Sequence, residues 1–237
     1  MTPSNNAEFI NPINSGLISD LESRVCDFCA ELSGRRETIF ARLYSGILES
    51  RIVLRSSGFA ALPTIGQIFT GSLLVLPEEH VETLALLPKN RRTELVNFVT
   101  RLCMTLGKDG HIALFEHGAR AQTGGSCGIY HAHLHIVPLP RSASLDEVLP
   151  AGFVQVVNLE SALDALHQSA QYLLFAMAED CGFVDLTNGN NNYPSQFFRR
   201  RLGELMMPEV SWDWRSVQAV EPAVMQTVEL LRRAHVP

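Results

Sequence analysis

His131-Ala-His-Leu-His-Ile-Val-Pro138 is the stretch on which the reading of this chain turns. Side chains of an extended strand alternate between two faces, so His131, His133 and His135 share one face while Ala132, Leu134 and Ile136 take the other. The pattern predicts a strand that aims three imidazoles at one small volume and sends its opposite face into an apolar core. An imidazole ordinarily titrates near pH 6.5, at about which it serves as nucleophile, proton carrier or metal ligand. A metal site built from all three rings, and histidines satisfied within the core, are the competing readings.

Working outward, the upstream sequence alternates short apolar runs with one long periodic segment. Arg51-Ile-Val-Leu54 and Gly58-Phe-Ala-Ala-Leu62 read as strands joined by the turn Arg55-Ser-Ser-Gly58, and Gly71 to Leu76 as a short buried strand. Pro88 to Leu106 carries Leu95, Val96, Val99, Leu102, Cys103 and Leu106 at helical spacing. His111 to Glu116 reads as a strand, followed by the glycine-rich loop Gly118 to Gly128. Nearer the start, Leu17 to Leu32 accommodates a short helix, Glu37 to Gly46 a helix or turn, and residues 1–19 an N-terminal arm. Downstream, Ala151 to Leu159 reads as a strand, Leu163 to Glu179 as a helix and Asn188 to Asn192 as a polar turn. Helices are expected at Ser195 to Leu205 and Glu221 to Ala234. The order predicts an α+β class: an antiparallel sheet with flanking helices over residues 20–145, and a mostly helical C-terminal extension, 146–237, packed on it.

The 237 residues carry a formal charge of −6, which argues against a nucleic-acid surface, although Arg199-Arg200-Arg201 is a local basic cluster. No apolar stretch approaches bilayer length, and Met1 to Ser23 lacks the layout of a signal peptide. Five cysteines at irregular spacing fit a reducing compartment, so a cytoplasmic protein is expected.

The triad stretch resembles the signature of the histidine triad (HIT) superfamily, histidine-x-histidine-x-histidine followed by apolar residues. Phe59-Ala-Ala-Leu-Pro-Thr-Ile-Gly66, Gly71-Ser-Leu-Leu-Val-Leu-Pro77 and Glu79-His80-Val81 are similar to the segments that precede the triad in HIT hydrolases, and the resemblance spans roughly residues 20 to 140. It implies the HIT architecture, with His133 attacking the α-phosphorus of a nucleotide and carrying the nucleotidyl group as a phosphoramidate. His131 and His135 would orient it and bond the phosphate oxygens. No organic cofactor is implied. The same resemblance implies a homodimer formed through the helix from Pro88 to Leu106, unless the C-terminal part covers that surface. A nucleotide-type substrate is implied, with no nucleic acid and no membrane as partner.

Further residues acquire expected roles from the resemblance. A similar Cys-x-x-Cys pair holds structural zinc in related proteins with an upstream histidine and the first triad histidine, which here are Cys26, Cys29, His80 and His131; inert buried thiols and redox chemistry are the alternatives. Ser126, Cys127 and Gly128 stand where the family carries a phosphate-binding Gly-Gln-Ser/Thr, with Ser126 as the substitute hydroxyl. Phe115-Glu-His-Gly-Ala119 resembles a stretch of the uridylyltransferase branch, placing His117 toward phosphate or metal, or else in a solvated turn. Thr64 falls at the ribose-binding position, and Phe59, Leu62 and Ile65 suit a base slot or the core. Arg199 and Arg200, with Gln196, suit leaving-group phosphates, while Trp212 and Trp214 pin the tail to the sheet. Three intact histidines favour a nucleotide hydrolase. A nucleotidyltransferase or phosphorylase, and a nucleotide-binding regulatory protein with weak catalysis, are the alternatives.

Overall fold

A two-residue turn sets the first hairpin. Ser57 and Gly58 both adopt positive φ, 52° and 71°, the geometry whose twist matches that of the strands it joins. In the computed structural model, which describes residues 26–106, 111–121, 129–143, 148–149, 151–177, 181–185 and 193–234, this turn joins β1 (Leu54–Ser56) to β2 (Phe59–Pro63). β3 (Leu73–Pro77), β4 (His111–Ala119), β5 (Leu134–Leu139), β6 (Phe153–Val156), β7 (Gln171–Met177) and β8 (Cys181–Asp185) complete one eight-stranded antiparallel sheet in the order β1-β2-β3-β5-β4-β7-β8-β6. Six α-helices accompany it among the described residues: α1 (Asp27–Leu32), α2 (Ile39–Tyr44), α3 (Lys89–Leu106), α4 (Leu159–Ala165), α5 (Phe197–Met206) and α6 (Pro222–Arg233). The expected α+β class is what the chain adopts.

Strand alternation sorts the core into two layers. Leu114, Leu134, Ile136, Tyr172 and Leu174 join Leu95, Phe98 and Leu102 of α3 on one face. Ala113, Phe115, Val137, Leu173 and Phe175 meet Phe198 and Leu202 of α5 on the other. α1 closes over Leu62, Leu74 and Leu76 through Phe28, and α2 and α6 share a third cluster with Ile65. Burial of such side chains contributes roughly 1.5–3 kcal/mol each before entropy is counted.

Two expectations are corrected. The helix expected over Leu163 to Glu179 is instead α4 followed by β7. Asn158 accepts from Ser161 N and starts α4, which ends before Ser169, and Tyr172-Leu-Leu-Phe-Ala176 is buried on both sheet faces. A strand covered on both sides reads as an unbroken apolar run, the signal it shares with a buried helix. The first strand lies at Leu54–Ser56 and not at Arg51 to Leu54, because Arg51 turns inward to an ion pair with Glu31. The C-terminal part therefore extends the sheet as well as adding helices: β7 pairs with β4 from Ala113↔Met177 to Ala119↔Gln171. The N-terminal arm 1–19, the loop residues Ser126, Cys127 and Gly128, and the turn Asn188 to Asn192 lie outside the described residues.

Candidate functional site: a histidine cleft beside a Cys/His cluster

Ala132, Leu134 and Ile136 all join the core cluster that includes α3, on the face opposite the histidines, as the alternation predicts. β5 begins at Leu134, and the backbone before it is held by Ala132 N donating to Val81 O at 2.6 Å, so His131 precedes the regular strand. Its ring is fully buried and packs edge-on to His80 with centroids 5.1 Å apart. His133 and His135 stay together, centroids 5.4 Å apart, and line a cleft of about 750 Å³.

His131 contributes to His133 through its backbone. A carbonyl can only accept, so the 2.6 Å contact between His133 Nδ1 and His131 O makes Nδ1 the protonated nitrogen. The lone pair of His133 is thereby assigned to Nε2. Burial pushes its pKa down to about 4, with the His131 charge adding to the effect, so the ring is neutral near pH 7. His135 stacks on Phe115 at 4.5 Å, and burial, His133 and Arg199 in turn hold its pKa well below the ordinary range. His135 Nδ1 is buried and makes no hydrogen bond among the described residues.

His117 lies in the cleft as well, not in a solvated turn; burial and then His133 lower its pKa to about 4. Thr64 lines the cleft, but its hydroxyl donates to Ser72 O at 3.0 Å. Of the apolar trio, Ile65 faces the cleft, whereas Phe59 and Leu62 are completely buried in core clusters.

The C-terminal part forms a wall of the same cleft through Gln196, Phe197, Phe198, Arg199 and Trp214. Arg199 is buried, donates from Nε to Trp212 O at 3.1 Å and bonds Gly66 O through Nη2. It has no carboxylate within ion-pair distance among the described residues, and burial lowers its pKa to about 10, with Glu221 and Asp213 acting against that. Arg200 sits elsewhere, exposed, paired with Glu204 at 2.8 Å and placed over Trp212. Gln196 takes a left-handed conformation and ties α5 to the Trp214 turn, donating to Asp213 Oδ1 and accepting from Trp214 N. Gly66 permits the contact of that turn with the sheet side, since a Cβ there would stand 2.9 Å from Trp214 Cα. Trp212 packs on Gly203 of α5, so Trp214 is a cleft residue and Trp212 a packing one.

Next to the cleft, the donor atoms of Cys26, Cys29, His80 and His131 lie within 4.8 Å of one another. His131 Nδ1 is 3.5 Å from Cys26 Sγ and 3.4 Å from Cys29 Sγ, and His80 Nδ1 is 3.2 Å from Cys29 Sγ. Tetrahedral zinc at its usual bond lengths sets sulfur and nitrogen ligands about 3.5 Å apart, so the spacing fits. The remaining nitrogen of His131, Nε2, donates to Pro77 O at 2.9 Å, which leaves Nδ1 as the ligating atom. The hydrogen bond from Cys29 and the nearby His131 draw the Cys26 thiol far below its ordinary pKa, while Cys29 is driven up. Phe28, between the cysteines, packs edge-on to both His131 and His133 and couples cluster to cleft.

Histidines that line a cleft on an antiparallel sheet, beside a Cys/His cluster, form the arrangement that the resemblance to the histidine triad superfamily implies. No family model matches the chain. Among curated proteins it is similar to zinc finger CCCH domain-containing protein 59 of Oryza sativa subsp. japonica, 24% identical over 204 residues that make up 79% of this chain and 32% of that protein. The chain thus spans about a third of the length of the curated relative it matches. Solved structures with partial likeness include a Zn-bound histidine triad family protein from Mycobacterium smegmatis, 23% identical, covering 52% of this chain and 81% of that one at a TM-score of 0.36. Yeast Ap4A phosphorylase in complex with AMP is 11% identical, covering 57% of this chain and 58% of that one at a TM-score of 0.39.

Two charged cleft residues went unmarked in the sequence, Asp27 and Arg51. Asp27 stood in view between the cysteines, where it reads as a spacer. Arg51 reads as a strand residue until its pairing with Glu31 is seen.

Proposed function

We propose that this chain is a histidine triad nucleotide hydrolase acting at the α-phosphate of a nucleoside (poly)phosphate derivative or an adenylylated compound. The observation that carries the reading is the bond from His133 Nδ1–H to His131 O in a cleft, which presents an unprotonated Nε2 to a bound substrate. His133 Nε2 attacks phosphorus, the bond to the leaving group breaks, and a nucleotidyl-His133 phosphoramidate forms; water then cleaves the P–N bond. His135 and His117 line the cleft with His133 and would bond phosphate oxygens as charge develops there, and the buried Arg199 would hold the leaving-group phosphates. Ser126, Cys127 and Gly128 remain part of the proposal as phosphate donors. The low pKa values of the cleft histidines support the reading, since a neutral ring is the nucleophilic form.

The reading includes structural zinc on Cys26, Cys29, His80 and His131. When bound, the ion supplies no reacting group; it ties α1 to the segment that orients His133. Pairing of two copies belongs to the same proposal. α4 holds the start of α3, with Arg92 bonded to Asp164 and Thr93 to Glu160, so a second copy would take the far end around Met104, which is 74% exposed. Incubation with dinucleoside polyphosphates and adenylylated compounds, with and without inorganic phosphate, tests the activity. Water-dependent release of a nucleoside monophosphate is expected. Product formed only when phosphate is present would instead make the protein a phosphorylase, and binding without turnover a regulator.

A further inference from the structure

Asp27 supplies the one carboxylate among the described residues that line the triad cleft. It occupies the first turn of α1 and is half-buried, with neighbours that leave it little else to bind. One oxygen, Oδ1, accepts from Ile39 N at 3.0 Å, and the carboxylate enters no ion pair among the described residues. The nearest cation is already committed: Arg51 holds Glu31 through Nε and Nη2 at 2.7 and 2.9 Å and Pro63 O through Nη1. Ile39 and Ile65 are apolar, and the Thr64 hydroxyl donates to Ser72 O. A carboxylate drawn partly out of water without a cation accepts hydrogen bonds strongly. The second oxygen is therefore the acceptor at this end of the cleft, and an occupant must bring N–H or O–H donors to it.

The other wall has the opposite need, since Arg199 is buried without a carboxylate partner and stands near His135. One molecule that meets both needs carries anionic phosphate and hydrogen-bond donors at separate places. We propose that Asp27 is a specificity-determining residue that accepts hydrogen bonds from the nucleoside of the substrate, either the N–H edge of its base or its ribose hydroxyls. The proposal rests on the nucleotide reading above. It adds that α1, the helix that follows Cys26 and carries Cys29, selects the nucleoside.

The test measures binding of nucleoside monophosphates to the full chain by calorimetry, with wild type, Asp27→Asn and Asp27→Glu. Asparagine keeps an acceptor for Ile39 N and replaces the free oxygen with a donor, so the preferred nucleotide should bind about 10- to 100-fold more weakly, the worth of a hydrogen bond to a charged group. In wild type, purine riboside monophosphate, which lacks base N–H donors, and 2′,3′-dideoxynucleotides, which lack the hydroxyls, separate the two sources. The analogue missing the true donors should bind wild type as weakly as the parent nucleotide binds Asp27→Asn, and should lose nothing further in the variant. This wild-type arm stands even if a variant folds poorly. Affinities within twofold of wild type for both variants, with both analogues bound like the parent, would overturn the assignment while leaving the nucleotide reading intact. Failure of wild type to bind any nucleotide would overturn both.

Discussion

Arg199 and Arg200 are neighbours in sequence with opposite surroundings, and their replacement should separate them. Arg199 faces the cleft and holds two backbone carbonyls. Arg199→Lys keeps the charge but not the fork, and Arg199→Ala removes both. Both should raise KM for a polyphosphorylated substrate more than for a nucleoside phosphoramidate, roughly tenfold or more for alanine. Arg200 pairs with Glu204 at the surface, where such pairs contribute about 0–1 kcal/mol, so Arg200→Ala should leave kinetics unchanged. Steady-state kinetics on the two substrates check this; equal losses on both from Arg199→Ala would reject it.

A second residue-scale prediction concerns Glu116. It is fully buried in β4, bonded by the Tyr172 hydroxyl and by Leu84 N at 3.1 Å, and burial outweighs these bonds to raise its pKa to about 8. The folded state then binds a proton that the unfolded carboxyl releases near 4.5. The contribution is favourable at low pH and is lost as pH rises from about 4.5 to about 8, at most about 1.4 kcal/mol per pH unit. Urea unfolding at several pH values should show this slope in wild type and a flatter profile in Glu116→Gln. Parallel profiles would show that Glu116 is ionised throughout. The sequence displayed both residues of this kind unequally. Arg199 was legible as a phosphate candidate by its cluster, whereas a lone glutamate in an apolar strand gives no sign of its burial.

At the scale of elements, α1 is six residues long and too short to be stable alone, so its position depends on what holds it. Phe28 under the sheet and the Cys26, Cys29, His80 and His131 cluster are the holds. The purified chain should carry close to one zinc, and Cys26→Ala should lower both zinc content and melting temperature, because binding energy for such an ion is folding energy. Metal analysis and thermal unfolding check this; metal-free protein never exposed to chelator, with an unshifted Cys26→Ala variant, would contradict it. β2 and β3 were legible as short apolar runs bounded by glycine and proline, and α3 by its helical spacing. β7 was not, because its apolar run follows that of α4 with no glycine or proline between them.

Across the whole molecule, the C-terminal part is built into the sheet as well as the cleft. β7 lies between β4 and β8, and Phe198, Leu202, Val224 and Val228 fill two of the core clusters. A chain ending at residue 145 would leave β4 as an open apolar edge and should lack a cooperative thermal transition; a stable, cooperatively unfolding fragment would show that the triad region folds alone. The proposed reaction depends on His133, which lines the cleft together with residues of the C-terminal part. The most direct measurement is intact-protein mass after rapid acid-free quench with an adenylylated substrate, alongside turnover of His133→Ala. Wild type should gain one nucleotidyl group, and His133→Ala should gain none and lose several orders of magnitude in rate while keeping its melting temperature. A His133→Ala protein free of wild type that retains a tenth of wild-type turnover would contradict the account.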